Sequence, residues 1–248
     1  MRLTILILCA LVLPLRADAL GALRARLQKP AGGEPLKASV QVETWNRKGD
    51  EKKPVISQGK ATAWAESGPQ GLRLSWGRDL LAQALQEARL QTADPEKTTP
   101  TREAMAGIDA LSLQNYFDPG PQILQELDGA TLLEERPDTL DGRPLKLLSL
   151  KLEPRIGARE RKYIKELDAT AKVWVDAEGT PVAAETRVKV RGKALLVISF
   201  RSEQHDAYRF GRVGGRLVTV HHVHESSGSG GGESGQSRKV ATLTFSGS

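Results

Sequence analysis

Alternation of apolar and polar residues runs through most of the chain. It is cleanest between Lys172 and Val190. There Ala171, Val173 and Val175 share one face, and Val182, Ala184, Thr186, Val188 and Val190 share another. A period of two marks a strand with one buried and one wet face. Between the two runs lies Asp176-Ala177-Glu178-Gly179-Thr180-Pro181, where Gly179 can take the positive φ that a tight reversal needs. The stretch predicts an antiparallel hairpin. The same pattern predicts strands from Ala38 to Trp45, Gln58 to Ala65, Gly71 to Trp76, Ala130 to Glu135, Leu145 to Leu152, Ala207 to Val213, Arg216 to His224 and Arg238 to Phe245. Gly214-Gly215 and Asp141-Gly142 read as tight turns. Ala194 to Phe200 is apolar on both faces and predicts a central strand covered on each side, entered through a turn at Arg191-Gly192-Lys193.

The period changes in the middle. Leu80, Leu81, Ala84, Leu85 and Ala88 recur every three or four residues, which predicts a helix over Asp79 to Leu90. Asp118-Pro119 reads as a helix start, with the aspartate as cap, followed by the stripe Ile123, Leu124, Leu127 and the terminator Gly129. Leu20 to Leu27 reads as a short helix, broken by Pro30 to Pro35. Asn46 to Pro54 and Thr92 to Arg102 read as polar loops, and Ser226 to Ser237 as a flexible glycine-serine connection. Roughly nine or ten strands with regular turn signals predict one antiparallel sheet. The expected fold class is α+β: a single curved antiparallel sheet, an incomplete β-barrel, with the two central helices covering its concave face. No domain boundary or repeat interrupts residues 20–248, which are expected to form one domain.

The first residues change the picture of where the protein works. Arg2 precedes the apolar run Leu3 to Leu15, and Ala17-Asp18-Ala19 fits a small-x-small cleavage site. The run is shorter than the roughly 20 residues that span a bilayer. Residues 1–19 are therefore expected to be a signal peptide, with a mature start at Leu20. Cys9 lies within that run and follows Leu8, so it does not suit a lipid anchor, and no other cysteine exists for a disulfide or thiol site. The expectation is export to the periplasm with no transmembrane anchor after cleavage. The formal net charge is +6, and removal of the leader, with Arg2 and Arg16 against Asp18, leaves +5. Basic and acidic residues are interspersed; the densest basic cluster, Arg155 to Lys165, reads as a solvated connector. Few aromatics and an exported chain argue against nucleic acid.

The order of elements resembles the outer-membrane lipoprotein-sorting superfamily. The residues that carry the resemblance are the N-terminal helix, then Ser39 to Trp45, Gly59 to Trp64 and Gly71 to Trp76, then helices, then Lys172-Val173-Trp174-Val175-Asp176 with Gly179-Thr180-Pro181. The glycine-serine tract and the Thr92 to Arg102 insert depart from it. The resemblance implies a half-barrel whose apolar cavity holds acyl chains, in carriers, acceptors or regulators of the cell envelope. It transfers no ligand-contacting residue to this chain.

Candidate chemistry is sparse. His222 and His224 share a strand face, a spacing that can chelate zinc, but a third ligand is not evident, since Glu225 points the other way. No Gly-x-Ser-x-Gly elbow or phosphate loop has its required helix. Glu134-Glu135 and the pair Asp138, Asp141 fall in expected loops. The expectation is a non-enzyme with no metal and no cofactor. The ligand surface is expected on the small inner residues Val173, Val175, Ala184 and Thr186, with Leu74 and Trp76 beside them. The expected partners are lipid or lipoprotein acyl chains. A second possibility is another envelope protein docked on the sheet edge or convex face, and a zinc hydrolase is a third. The protein is expected to be a monomer.

Overall fold

A computed structural model describes residues 19–29, 34–50, 52–194 and 198–246. The predicted leader, apart from Ala19, lies outside these residues, as do Pro30 and Leu195 to Val197. In chain order the described elements are α1 (Ala19–Leu27), β1 (Leu36–Gly49), β2 (Val55–Gly68), β3 (Gly71–Trp76), α2 (Arg78–Ala93), α3 (Pro100–Ala106), α4 (Ala110–Phe117), α5 (Gly120–Glu126), β4 (Thr131–Leu140), β5 (Arg143–Lys151), α6 (Ala158–Arg161), β6 (Ile164–Val175), β7 (Pro181–Ala194), β8 (Ile198–Val213), β9 (Arg216–Gly230) and β10 (Glu233–Ser246). The strands form one ten-stranded sheet in the order β3-β2-β1-β10-β9-β8-β7-β6-β5-β4. Described neighbours are antiparallel throughout. The sheet is curved and not closed into a barrel, with helices on one face, as the alternation predicts.

The β6–β7 hairpin has the predicted register, with Val173 opposite Ala184 and Ala171 opposite Thr186. Gly179 takes φ +77° in its turn, and α1 packs over it through Ala22. Gly214 and Gly215 turn β8 into β9 at φ +55° and +75°.

Several expectations fail for one reason: a strand flanked on both sides is held by its backbone, whatever its side chains prefer. Asn46 to Gly49 is not a loop, because β1 runs on between β2 and β10 through Gly49. Arg191-Gly192-Lys193 is not a turn either; those residues pair with Arg201, Phe200 and Ser199. Ala194 and Ile198 pair with each other as the ends of β7 and β8, so the stretch predicted as one central strand belongs to two; its Leu195 to Val197 lie outside the described residues. The glycine-serine tract is ordered strand. Gly231 and Gly232, at φ +64° and +88°, turn β9 into β10, and Ser226 to Gly230 pair with Ser237 to Glu233.

The helical layer also differs. Thr92 to Arg102 is not a free insert: α3 begins at Pro100 and buries Thr101 and Ala104. It presses on β2 so closely that a Cβ on Gly59 would sit 1.9 Å from the Pro100 carbonyl oxygen. Gly59→Ala is expected to cost about 1–3 kcal/mol, because α3 or β2 must shift. Urea unfolding measures this, and a variant as stable as the parent would show that α3 is not held there. Helix α4, absent from the sequence reading, is capped by Asp109, whose side chain accepts from the Leu111 and Ser112 amides. Asp118 closes α4 through its own amide and does not cap α5, which begins behind Pro119 with no side-chain cap. Helix α2 buries only Ala84 and leaves Leu81, Leu85 and Leu90 exposed, so it covers less than its stripe suggested. The cover comes from α1, α3, α4 and α5.

Two apolar clusters result. One joins α3 and α4 (Ala104, Leu113, Phe117) to β1, β2 and β10 (Val40, Val42, Ala63, Leu243). The other joins α1 and the end of α5 (Leu20, Leu23, Leu27, Leu127) to β5, β6 and β7 (Leu148, Leu150, Val173, Ala184). On the open face Trp174 is buried with Leu147 and Ala183, and its indole N–H donates to Asp138 at 2.8 Å.

Candidate functional site

The packing opens beside the second cluster, where β6 and β7 meet β8 and β9. An apolar cavity of about 30 Å³ lies under α4 and α5. Val173, Ala184 and Thr186 line it, as do Ala171, Tyr208 and Phe210 of the strands. Ile123 and Leu127 close it from α5. Three of the sequence-predicted site residues therefore meet at one place. Val175 belongs to the same apolar cluster but not to the cavity lining. Leu74 and Trp76 pack, half-buried, against the other cluster, apart from this cavity. The small side chains on β6 and β7 are covered by α1 and α5, so the space they leave is mostly filled.

A polar chain crosses the inner face beside the cavity. The Tyr116 hydroxyl is 2.7 Å from His222 Nδ1, and His222 Nε2 is 2.8 Å from Asp206 Oδ1. His224 Nδ1 reaches the same carboxylate oxygen at 2.8 Å. With its proton on Nε2, His222 donates to Asp206 and accepts from the Tyr116 hydroxyl, so both ring nitrogens are satisfied. Tyr208 stacks on His222, with centroids 4.1 Å apart and planes within 4°. Register explains the meeting: Asp206 lies opposite His224, and Tyr208 opposite His222, all with side chains on the helix-covered face. Tyr116 is brought from above by α4.

Electrostatics follow from that geometry. Burial alone would raise the Asp206 carboxyl, but hydrogen bonds from His222 and His224 outweigh it and hold the group well below the usual carboxylate range. Burial, followed by the Asp206 charge, pushes the Tyr116 and Tyr208 hydroxyls upward, so both stay protonated. Glu126 is exposed as a residue, yet desolvation at the cavity mouth raises its carboxyl despite a 2.9 Å bond from Gln122.

Both histidines of the zinc-like spacing are thus committed to one carboxylate. His205 lies on the opposite face, 3.5 Å from Glu225. Among the described residues no group of three or more His, Cys, Asp and Glu side chains is placed to hold a metal ion. Sequence reasoning noticed His222 but missed Tyr116 and Asp206. The spacing of Leu113, Tyr116 and Phe117 was the available signal for α4, but eight residues make a short helical pattern.

Fold and site together define a class: a curved antiparallel sheet with a helix-covered apolar face and a small apolar cavity. No protein-family model matches the chain, and no curated protein does. Among solved structures, a DUF1329 family protein from Desulfovibrio piger is similar at 10% identity and a TM-score of 0.28, over 91% of this chain and 90% of that one. MucB, solved in complex with MucA(peri), is similar at 10% identity and a TM-score of 0.18, over 92% and 93% of the two chains. No described helix is long and apolar enough to cross a membrane.

Proposed function

We propose that the protein is an exported, non-enzymatic binder of an apolar or acylated ligand, such as a lipid or a lipoprotein acyl chain. It acts in the periplasm as a monomer and takes the ligand between α5 and strands β6 to β8. The supporting observation is the apolar lining of the cavity by Val173, Ala184, Phe210, Ile123 and Leu127. At about 30 Å³ the cavity is too small for an acyl chain, whereas ligand pockets occupy about 300–1,000 Å³. Uptake therefore requires α5 to lift. That helix spans Gly120–Glu126, and its Ile123 and Leu124 are only half-buried. Each methylene buried in their place stabilises the complex by about 0.8 kcal/mol.

A fluorescent fatty acid titrated into the protein is expected to bind saturably and to be displaced by unlabelled lipid. Ala184→Trp, which fills the cavity from β7, is expected to weaken binding about tenfold or more. The reading fails if no saturable binding occurs and native mass spectrometry finds no retained lipid.

A second reading, a docking site for another envelope protein, is favoured by the free edge of β2. From Val55 to Thr62, β2 has β1 on one side and, among the described residues, no strand on the other. A groove of about 570 Å³ follows that edge past Lys60, Thr62 and exposed Trp64. A photocrosslinker at Thr62 that captures an envelope protein, when one at Gln122 does not, would favour this reading over the first.

A further inference from the structure

The face of the sheet opposite the helices carries an unusual row of residues. Arg191 of β7 lies directly across from Arg201 of β8, Arg201 across from Ser229 of β9, and Ser229 across from Ser234 of β10. The next row is Lys189, Glu203, Ser227, Gln236 and Arg47. Long cationic side chains thus stand around a floor of serines and glycines. The result is a trough of about 360 Å³, with Arg47, Lys189, Arg191 and Arg201 on its walls. It runs on into a second hollow of about 310 Å³, walled by Trp45, through the shared residues Glu203, Ser227 and Gln236.

Two features of the row are costly by themselves. Like charges directly opposite on neighbouring strands are destabilising, and Arg191 and Arg201 are so placed. Arg191 has Glu166 at 3.3 Å, and Lys189 shares Glu203 with Arg187. Arg201 reaches only the Ser229 hydroxyl, at 2.9 Å, and among the described residues it has no carboxylate partner. Arg201 thus keeps a positive charge that no carboxylate among the described residues neutralises. The second cost is the floor. Serine and glycine are weak strand residues, and glycine inside a strand often marks a place where something approaches the backbone closely. Here the tract gives up side-chain packing and leaves a polar hollow, with the Ser234 hydroxyl buried and unpartnered.

We propose that this trough binds a phosphoryl group. Its negative charge complements the uncompensated guanidinium of Arg201. The guanidinium forks of Arg191 and Arg201 suit bidentate contact with phosphate oxygens, and the Ser227 and Ser229 hydroxyls supply donors from below. An anion between the two arginines replaces their repulsion with attraction. The site is separate from the cavity, which opens on the other face.

Calorimetry on the mature protein tests this with inorganic phosphate and with glucose 6-phosphate. Flotation with vesicles of phosphatidylglycerol in phosphatidylcholine gives a third arm. Saturable binding in at least one arm is expected. Binding of both solutes marks a free-phosphate site, tighter glucose 6-phosphate marks a phosphorylated solute, and vesicle binding alone marks a headgroup. Arg201→Gln and Arg191→Gln are each expected to weaken that binding about tenfold, while Arg73→Gln on β3 leaves it unchanged. Fatty-acid binding by Arg201→Gln should be unaffected, so this test is independent of the cavity reading. The proposal is overturned if no arm saturates, or if Arg201→Gln binds as the parent does.

Discussion

Phe117→Ala is expected to lower stability by about 3–5 kcal/mol. Phe117 is among the fully buried side chains of the protein and meets Phe245 edge to face, with centroids 5.3 Å apart. It belongs to the cluster formed with Val40, Val42 and Leu243. Truncation removes the ring from an apolar site and leaves a cavity between helix and sheet. The loss should be large because α4 cannot follow the missing ring inward. The helix is capped at Asp109 and tied at Tyr116 to His222, which fix both its ends. Urea unfolding gives the value directly. A loss below about 1 kcal/mol would mean that α4 recloses over the gap, and then the picture of α4 as the fixed helix beside a movable α5 would be wrong.

Helix α4 and its tie to His222 were not legible in the sequence. The strands were, because alternation is a local property: the hairpins at Gly179 and Gly214-Gly215 form where Val173, Val175, Ala184 and their neighbours predicted. The errors lie where a neighbour overrides local preference. Ser226 to Ser237 has weak strand formers, and only pairing with β8 and β1 on its two sides makes it strand. The leucines of α2 gave the strongest helical stripe, yet Leu81, Leu85 and Leu90 remain exposed. Periodicity reports that a face could be buried, not that a surface is available to bury it. The candidate site was half legible for the same reason. Val173, Ala184 and Thr186 were found through parity. Tyr116, Tyr208 and Asp206 meet through register and helix placement, which parity does not encode.

Loss of the Asp206 side chain is the second large effect expected. Asp206→Ala leaves one buried and one half-buried imidazole donor without their acceptor, since His222 Nε2 and His224 Nδ1 both contact one oxygen. Hydrogen bonds to a charged group contribute about 1.5–3 kcal/mol each. The side chain keeps 20% of its surface in contact with solvent, so a total of about 2–4 kcal/mol is expected, short of the simple sum. Tyr116→Phe removes the donor at the other end of His222. Combined with Asp206→Ala it should cost less than the two losses added, because both act through one ring. Strict additivity in that double-mutant cycle would sink the idea of a connected chain. Acid provides a separate reading. The folded Asp206 carboxyl is depressed, so its contribution is present above the unfolded value of about 3.9 and is lost as pH falls below that value. Asp206→Asn keeps the acceptor but removes the titration. It should therefore be less stable than the parent at neutral pH, and its stability should fall less steeply below about pH 4. Parallel stability curves for the two proteins below that pH would show that Asp206 is not held by the histidines. The prediction reaches the cavity as well. Tyr208 lines the cavity and stacks on His222, so freeing His222 releases one wall of the space beneath α5. Asp206→Ala should then alter fatty-acid binding even though the carboxylate itself does not line the cavity.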